Sequence, residues 1–338
     1  MDETVLVTEA GDEAGSGEVP FAPLARAVDS GTVGGSCIRL FVAGAVTHVG
    51  KTTVCLSILA ALRKAGFKAT ELAYIKPATQ CEEADLLSKW CMVEGVEHVS
   101  GENAPLVFYQ GFTRSFLAGE QGSSADWLRK IRLRVDSLCK GRRVVIVDGV
   151  GFPAVGSIVG VDNADVAKAV RAPVVLVCKS GVGAAIDSFS LNCAYFTSKG
   201  VPVLGAIFNL GDRDGFNAWT KCAENIELWF LRTEGRRERF YGVVPTLAEL
   251  DGLRSRIAET DHTRLMELAD LNATHFVAHV DISAICADAA ADAWCRHGAR
   301  THADPSPTKT VEPMKASEVS SRSEVQAAAQ AQGAKGGG

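Results

Sequence analysis

The sequence predicts an α/β fold, a doubly wound and mainly parallel sheet with helices on both faces. Three observations predict it. Strand-like apolar runs alternate with helical periodicity from residue 38 to residue 245. Residues 144–147 form an unbroken β-branched run, the pattern of a parallel strand buried on both faces. Several runs end in a glycine or a polar residue, at Gly44, Lys76, Asp148, Lys179 and Asn209. Open α/β sheets bind their ligands beyond those strand ends.

The elements follow in order. Residues 38–43 read as the first strand, and residues 52–65 as a helix, because Cys55, Ile58, Leu59 and Leu62 share one face and Gly66 supplies a stop. Residues 70–75 read as a second strand, ended by Lys76-Pro77, and 82–93 as a helix. The stretch 94–124 is Gly-rich and irregular, with one short apolar run at 106–109. Residues 125–139 form an amphipathic basic helix, followed by the strand at 144–147. Helices are expected at 164–170, 184–199 and 216–231, and strands at 173–178, 203–208 and 240–244. Four parts result: a disordered acidic tail at 1–36, an α/β domain at 37–246, a helical extension at 247–299, and a disordered tail rich in Ser, Ala and Gly at 300–338.

Composition narrows the function. The chain has 338 residues, 47% hydrophobic and 22% charged, enough to bury a sizeable core. A net charge of −5 argues against nucleic acid or an anionic membrane as the main partner, so a small-molecule substrate is expected. No apolar run approaches the roughly 20 residues that span a bilayer. The acidic start, Met-Asp-Glu-Thr, is unlike a signal or transit peptide. None of the ten cysteines forms a C-x-x-C pair. Reduced, mostly buried thiols in a cytoplasmic protein are expected, rather than disulfides or a zinc site. His275 and His279 are spaced like the ligands of a zinc helix, but the glutamate of H-E-x-x-H is missing.

The chemistry concentrates at the first strand end. Residues 38–53 place a strand, a small-residue loop, Gly50-Lys51-Thr52 and a helix in succession. Backbone N–H groups of such a loop, with the positive end of the helix, cradle a polyphosphate. Lys51 reaches the terminal phosphates in this arrangement, and the Thr52 hydroxyl holds Mg²⁺. The strict spacing puts four residues between two glycines; Ala45 stands at the first position and Gly44 one place earlier. A nucleoside triphosphate and Mg²⁺ are therefore the expected ligands of this loop. Asp148 closes a buried strand and is placed to hold Mg²⁺ opposite Thr52. Lys76 ends the second strand, where it either neutralises phosphoryl charge or is a plain surface lysine. Asp85 is either a second metal carboxylate or an ordinary first-turn aspartate. Gly149 and Gly151 allow a close backbone approach. His48 is a loop base, an anion contact or a solvated side chain.

The ordered motifs resemble dethiobiotin synthetase and the similar domain fused to some phosphate acetyltransferases. They are Phe41-Val42-Ala43-Gly44 through Val49-Gly50-Lys51-Thr52, Tyr74-Ile75-Lys76-Pro77, Val147-Asp148-Gly149-Val150-Gly151, the segment 200–209 ending in Asn209, and Gly242-Val243-Val244-Pro245. The resemblance spans about residues 38–246. It implies a phosphate loop formed by Gly44, Val49, Gly50, Lys51, Thr52 and Thr53, and Mg²⁺ held by Thr52, Asp85 and Asp148. It implies that Lys76 and Thr47 contact the acceptor or its carbamate, with Lys51 on the phosphates, so that these three carry catalysis. It further implies a Gly151 amide offered to substrate, Asn209 reading the adenine, and a homodimer with the substrate site at its interface. The implied activity is an ATP- and Mg²⁺-dependent ligase; the alternative is a nucleotide-binding accessory domain without turnover. Departures cluster on the acceptor side. Ala45 and Val46 replace the synthetases' Thr-Asp, His48 fills an often acidic position, Gln80 replaces a small residue, and Asp148 stands in place of Glu. An acceptor other than the dethiobiotin precursor is expected.

Overall fold

A computed structural model of the protein describes residues 21–32, 36–80, 85–250 and 260–292. The expected tail at 300–338 lies outside them. Seven parallel strands make the main sheet, in the order β4-β2-β6-β1-β7-β8-β9. They are β1 (Ile38–Gly44), β2 (Leu72–Ile75), β4 (Glu97–Val99), β6 (Val144–Asp148), β7 (Val174–Lys179), β8 (Val203–Gly211) and β9 (Arg239–Pro245). The chain leaves β1 for β2 on one side, then returns through β6 to β7 on the other. The direction of winding thus changes at β1, where the crevice for a ligand opens.

Side chains alternate across the pleat and split the core in two. Leu40, Val42, Tyr74, Ile146 and Val177 face one layer. That layer is built by α1 (Ala22–Gly31), α2 (Lys51–Lys64), α3 (Leu86–Glu94), α9 (His262–Val277) and α10 (Ile282–Ala291). Phe41, Ala43, Ile75, Val147 and Leu176 face the other. Its helices are α4 (Phe112–Leu117), α5 (Ser124–Cys139), α6 (Asn163–Val170), α7 (Gly183–Ser198) and α8 (Trp219–Arg232). Each large apolar side chain so enclosed contributes about 1.5–3 kcal/mol relative to exposure.

Two expectations change. Part of the region taken as a tail is helix α1, begun by a proline in its first turn, with Leu24 and Val28 buried against α10. The rest of 1–20 lies outside the described residues. The helices expected after β9 are present as α9 and α10, and their Phe276, Ile282 and Ile285 complete the same core as β1 and α2. The stretch 94–124 is also more ordered than its composition suggests. It holds β4, α4 and the short strand β5 (Leu106–Val107), which pairs in parallel with β3 (Ala78–Thr79) just past Lys76-Pro77. Among the described residues no helix is long and apolar enough to cross a membrane.

Candidate active site

The loop between β1 and α2 closes over the end of the sheet. Gly44 has no room for a side chain: a Cβ there would meet the Lys51 stem and Val49 Cγ1, each at 2.9 Å. The glycine one place ahead of the strict spacing is therefore the one the loop needs. Ala45 is buried instead, its N–H donating to Val177 O at 2.9 Å and its carbonyl accepting from Asn192 Nδ2 at 3.2 Å. Val46, Thr47 and His48 form the exposed tip, where His48 adopts a left-handed conformation with φ 57°. Gly50, at φ 86°, caps α2; a Cβ there would lie 2.4 Å from Asn209 Nδ2. The Asn209 amide donates to Val49 O at 3.0 Å and so holds the loop from β8.

Asp148 is the centre of the site. It is wholly buried, and its Oδ2 accepts from Thr52 Oγ1 at 2.8 Å and from Tyr74 OH at 2.9 Å. Lys76 Nζ stands 3.9 Å from the same oxygen and 3.7 Å from Asp85 Oδ2. Asp148 Oδ1 is buried without a hydrogen-bond partner. Burial raises the Asp148 pKa above the ordinary carboxylate value, against the pull of Lys76 and Lys51. Burial also lowers the Lys51 pKa, although Asp148 opposes this. Lys51 Nζ donates to Gly151 O at 2.8 Å. The loop carrying Gly151 is fixed by Asn163, which accepts from Val150 N and donates to the carbonyls of Val150 and Phe152.

The structure therefore brings together Lys51, Thr52, Lys76, Asp85, Asp148 and Gly151. Asp85 proves to be a helix cap, its Oδ1 accepting from Ser88 N and Ser88 Oγ, while Oδ2 is turned toward Lys76. Gly151 presents its carbonyl to Lys51. Thr53 lies in the first turn of α2, where its carbonyl accepts from Ser57 Oγ at 2.9 Å. Tyr74 was not foreseen as a site residue. Its hydroxyl reaches Asp148 because β2 and β6 pair in register, Tyr74 opposite Ile146, and no local pattern in the sequence marks that contact.

A hard cation suits this donor set. Thr52 Oγ1 and the Asp148 carboxyl supply only oxygen, and Asp148 Oδ1 is a buried oxygen with no hydrogen-bond partner of its own. Among the described residues no group of three or more His, Cys, Asp or Glu converges as a full protein cage. Mg²⁺ needs none, since it is usually bound through one or two carboxylates plus phosphate oxygens. His275 and His279 are not such a cage: His275 Nε2 meets Pro245 O at 2.9 Å and His279 Nδ1 meets His275 O at 2.7 Å.

A glycine-lined loop before a helix, with its lysine and threonine beside a strand-end aspartate, defines a P-loop NTPase. A family model described as "AAA domain" matches residues 38–254. ATP-dependent dethiobiotin synthetases match as well. The enzyme of Akkermansia muciniphila is 30% identical over 173 residues, 51% of this chain and 78% of that protein. That of Aromatoleum aromaticum is 28% identical over 219 residues, 62% of this chain and 92% of that one. The chain belongs to the dethiobiotin-synthetase-like P-loop NTPases within this AAA domain family. Among solved structures, the cell division ATPase MinD of Pyrococcus furiosus is 16% identical, covering 69% of this chain and 96% of its own, with a TM-score of 0.34. A likeness of that size says nothing about ligand or activity.

Proposed function

We propose that the protein is an ATP- and Mg²⁺-dependent ligase that activates a carboxylate or carbamate as a mixed phosphoric anhydride for attack by an amine. The observation that carries this reading is the convergence of Lys51, Lys76, Thr52 and Asp148 on one strand-end crevice. The matched synthetases support the ATP-dependent ligase class. A homodimer is part of the proposal. Exposed apolar side chains at the strand-end loops, Val46, Phe152 and Ile158, support it by offering a surface for a second copy.

Each side chain then has a task. Lys51 exchanges the Gly151 carbonyl for the terminal phosphates, a short swing for a flexible stem already packed on Gly44. Thr52 and Asp148 would hold Mg²⁺, which when bound screens the phosphate charges. Tyr74, which donates to Asp148 Oδ2, would keep the carboxyl oriented if Thr52 and Asp148 held the ion. Lys76 neutralises charge on the transferring phosphoryl group from the side facing β3 and Asp85. Asn209 donates one of its two amide N–H groups to Val49 O, and its side-chain oxygen would accept from an adenine amino group. Catalysis comes mainly from positioning and charge neutralisation, as in phosphoryl transfer generally.

The acceptor half is the less family-like part. Thr47 stays on the exposed tip beside Val46 and His48, in reach of an incoming acceptor. A loop carboxylate would attract an amine, and Val46 cannot. Loss of one charged hydrogen bond removes about 1.5–3 kcal/mol, roughly a tenfold to hundredfold effect on affinity. The test is direct: the purified protein with diaminopelargonic acid, bicarbonate and Mg²⁺-ATP should form little dethiobiotin, while other amine acceptors support turnover. Efficient dethiobiotin formation would show these substitutions to be neutral and the acceptor to be the family's own.

A further inference from the structure

Lys51 Nζ donates to Gly151 O at 2.8 Å, across 100 residues of sequence. Gly151 lies in the loop after β6, where its φ is 57° and a Cβ would meet Val155 Cγ2 at 2.7 Å. A loop carbonyl keeps a lysine in one place only if the loop itself is held. Asn163, the first residue of α6 and only 3% exposed, supplies that hold. Its Oδ1 accepts from Val150 N at 2.9 Å, and its Nδ2 donates to Val150 O and to Phe152 O, each at 2.8 Å. The carboxamide thus pins both neighbours of Gly151. The fit is close: a Cβ on Gly149, the residue after Asp148, would lie 2.7 Å from Asn163 Oδ1.

Asn163 is itself rooted. Asp162, just before it and 1% exposed, caps α6 through Oδ1, which accepts from Ala164 N at 2.9 Å and Asp165 N at 3.0 Å. Its Oδ2 accepts from Tyr195 OH on α7 at 2.6 Å and from Lys199 Nζ at the end of that helix. Lys199 Nζ also reaches Asp165 Oδ1 at 3.0 Å. A continuous set of contacts therefore runs from α7, through the start of α6 and the loop after β6, to the Lys51 ammonium.

We propose that Asn163 is a positioning residue for Lys51, presenting the Gly151 carbonyl that holds the ammonium in the crevice, with Asp162 rooting it on α7. Three hydrogen bonds from one buried carboxamide make a firm restraint, because deleting them leaves the Val150 N–H without a partner. Phosphates then take Lys51 from a fixed starting point, and less of the stem's freedom is lost on binding. The consequence for turnover rests on the ligase reading above; the hold on Lys51 does not.

A double-mutant cycle in the 338-residue chain tests this. Asn163→Leu, nearly isosteric, and Asn163→Ala, which cannot overpack the site, are each combined with Lys51→Ala. Should the first fail to fold, the second carries the cycle. The first readout is urea unfolding without nucleotide. The substitutions should be non-additive by at least about threefold in the unfolding equilibrium constant, the double variant being more stable than the single changes predict together. Ile226→Val, a core change on α8, should simply add to Lys51→Ala. The second readout is nucleotide. Asn163→Leu should weaken Mg²⁺-ATP binding about fivefold and lower kcat by more than that, since Lys51 matters most as charge develops. The binding loss should vanish in the Lys51→Ala background. Additive stabilities would overturn the proposal, and so would an equal loss of ATP affinity with and without Lys51. Coupled stabilities in a chain that turns over no ATP would sustain the role of Asn163 and overturn the ligase reading instead.

Discussion

Lys51→Ala is expected to weaken Mg²⁺-ATP binding by about tenfold to a hundredfold, since a charged hydrogen bond to phosphate contributes about 1.5–3 kcal/mol. Turnover should fall further, by on the order of 10²–10³, because the ammonium matters more as charge develops in the transition state than in the ground state. The fold should be kept. Lys51 sits in the first turn of α2 and its stem covers Gly44, but the layer beneath is built by Val54, Leu56, Ile58 and Leu62. Calorimetric titration with Mg²⁺-ATP checks the result. Equal affinities in mutant and wild type would remove the phosphates from this loop.

Asp148→Asn should separate function from stability in opposite directions. Asn keeps an acceptor for Thr52 and Tyr74 but brings no charge to a hard cation, so Mg²⁺-dependent turnover should drop by on the order of 10²–10³. Stability follows from the sign of the pKa shift. Burial raises the Asp148 pKa, so folding favours its protonated form. That contribution is fully present below the unfolded-state pKa of about 4 and is lost as pH rises through the folded value. The metal-free mutant lacks this loss. Its stability relative to the wild type should therefore increase as pH rises from about 3 toward 7, whatever offset the new amide N–H introduces. Urea unfolding of both proteins across that range measures the trend. A flat difference would mean that the carboxyl is solvated. Normal Mg²⁺-dependent turnover in the mutant would remove the metal from Asp148.

Much of this site is legible in the sequence because its parts lie at strand ends, and strand ends carry local signals. The β1 run, its glycine and Gly50-Lys51-Thr52 are contiguous, and Asp148 directly follows four β-branched residues. What is hidden depends on register or on distant packing. Tyr74 faces Asp148 only because β2 and β6 pair as they do. Asn163, thirteen residues beyond Val150, fixes the loop after β6 through three hydrogen bonds. Asn209 stands at an expected strand end, yet it supports the phosphate loop from 160 residues away. Helix α1 escapes notice because its apolar positions that count, Leu24 and Val28, are one pair among acidic and glycine-rich neighbours. Its partner surface on α10 is more than 250 residues distant in sequence.

The ligase reading turns on whether the bound nucleotide is consumed for an acceptor. The decisive measurement is release of inorganic phosphate from γ-labelled Mg²⁺-ATP by the 338-residue chain, with bicarbonate and a panel of diamino acids, against Lys51→Ala. The ligase account predicts phosphate release that rises with an amine and bicarbonate together and disappears in Lys51→Ala. Tight ATP binding with no phosphate release under any acceptor would contradict it and mark the chain as a nucleotide-binding accessory domain.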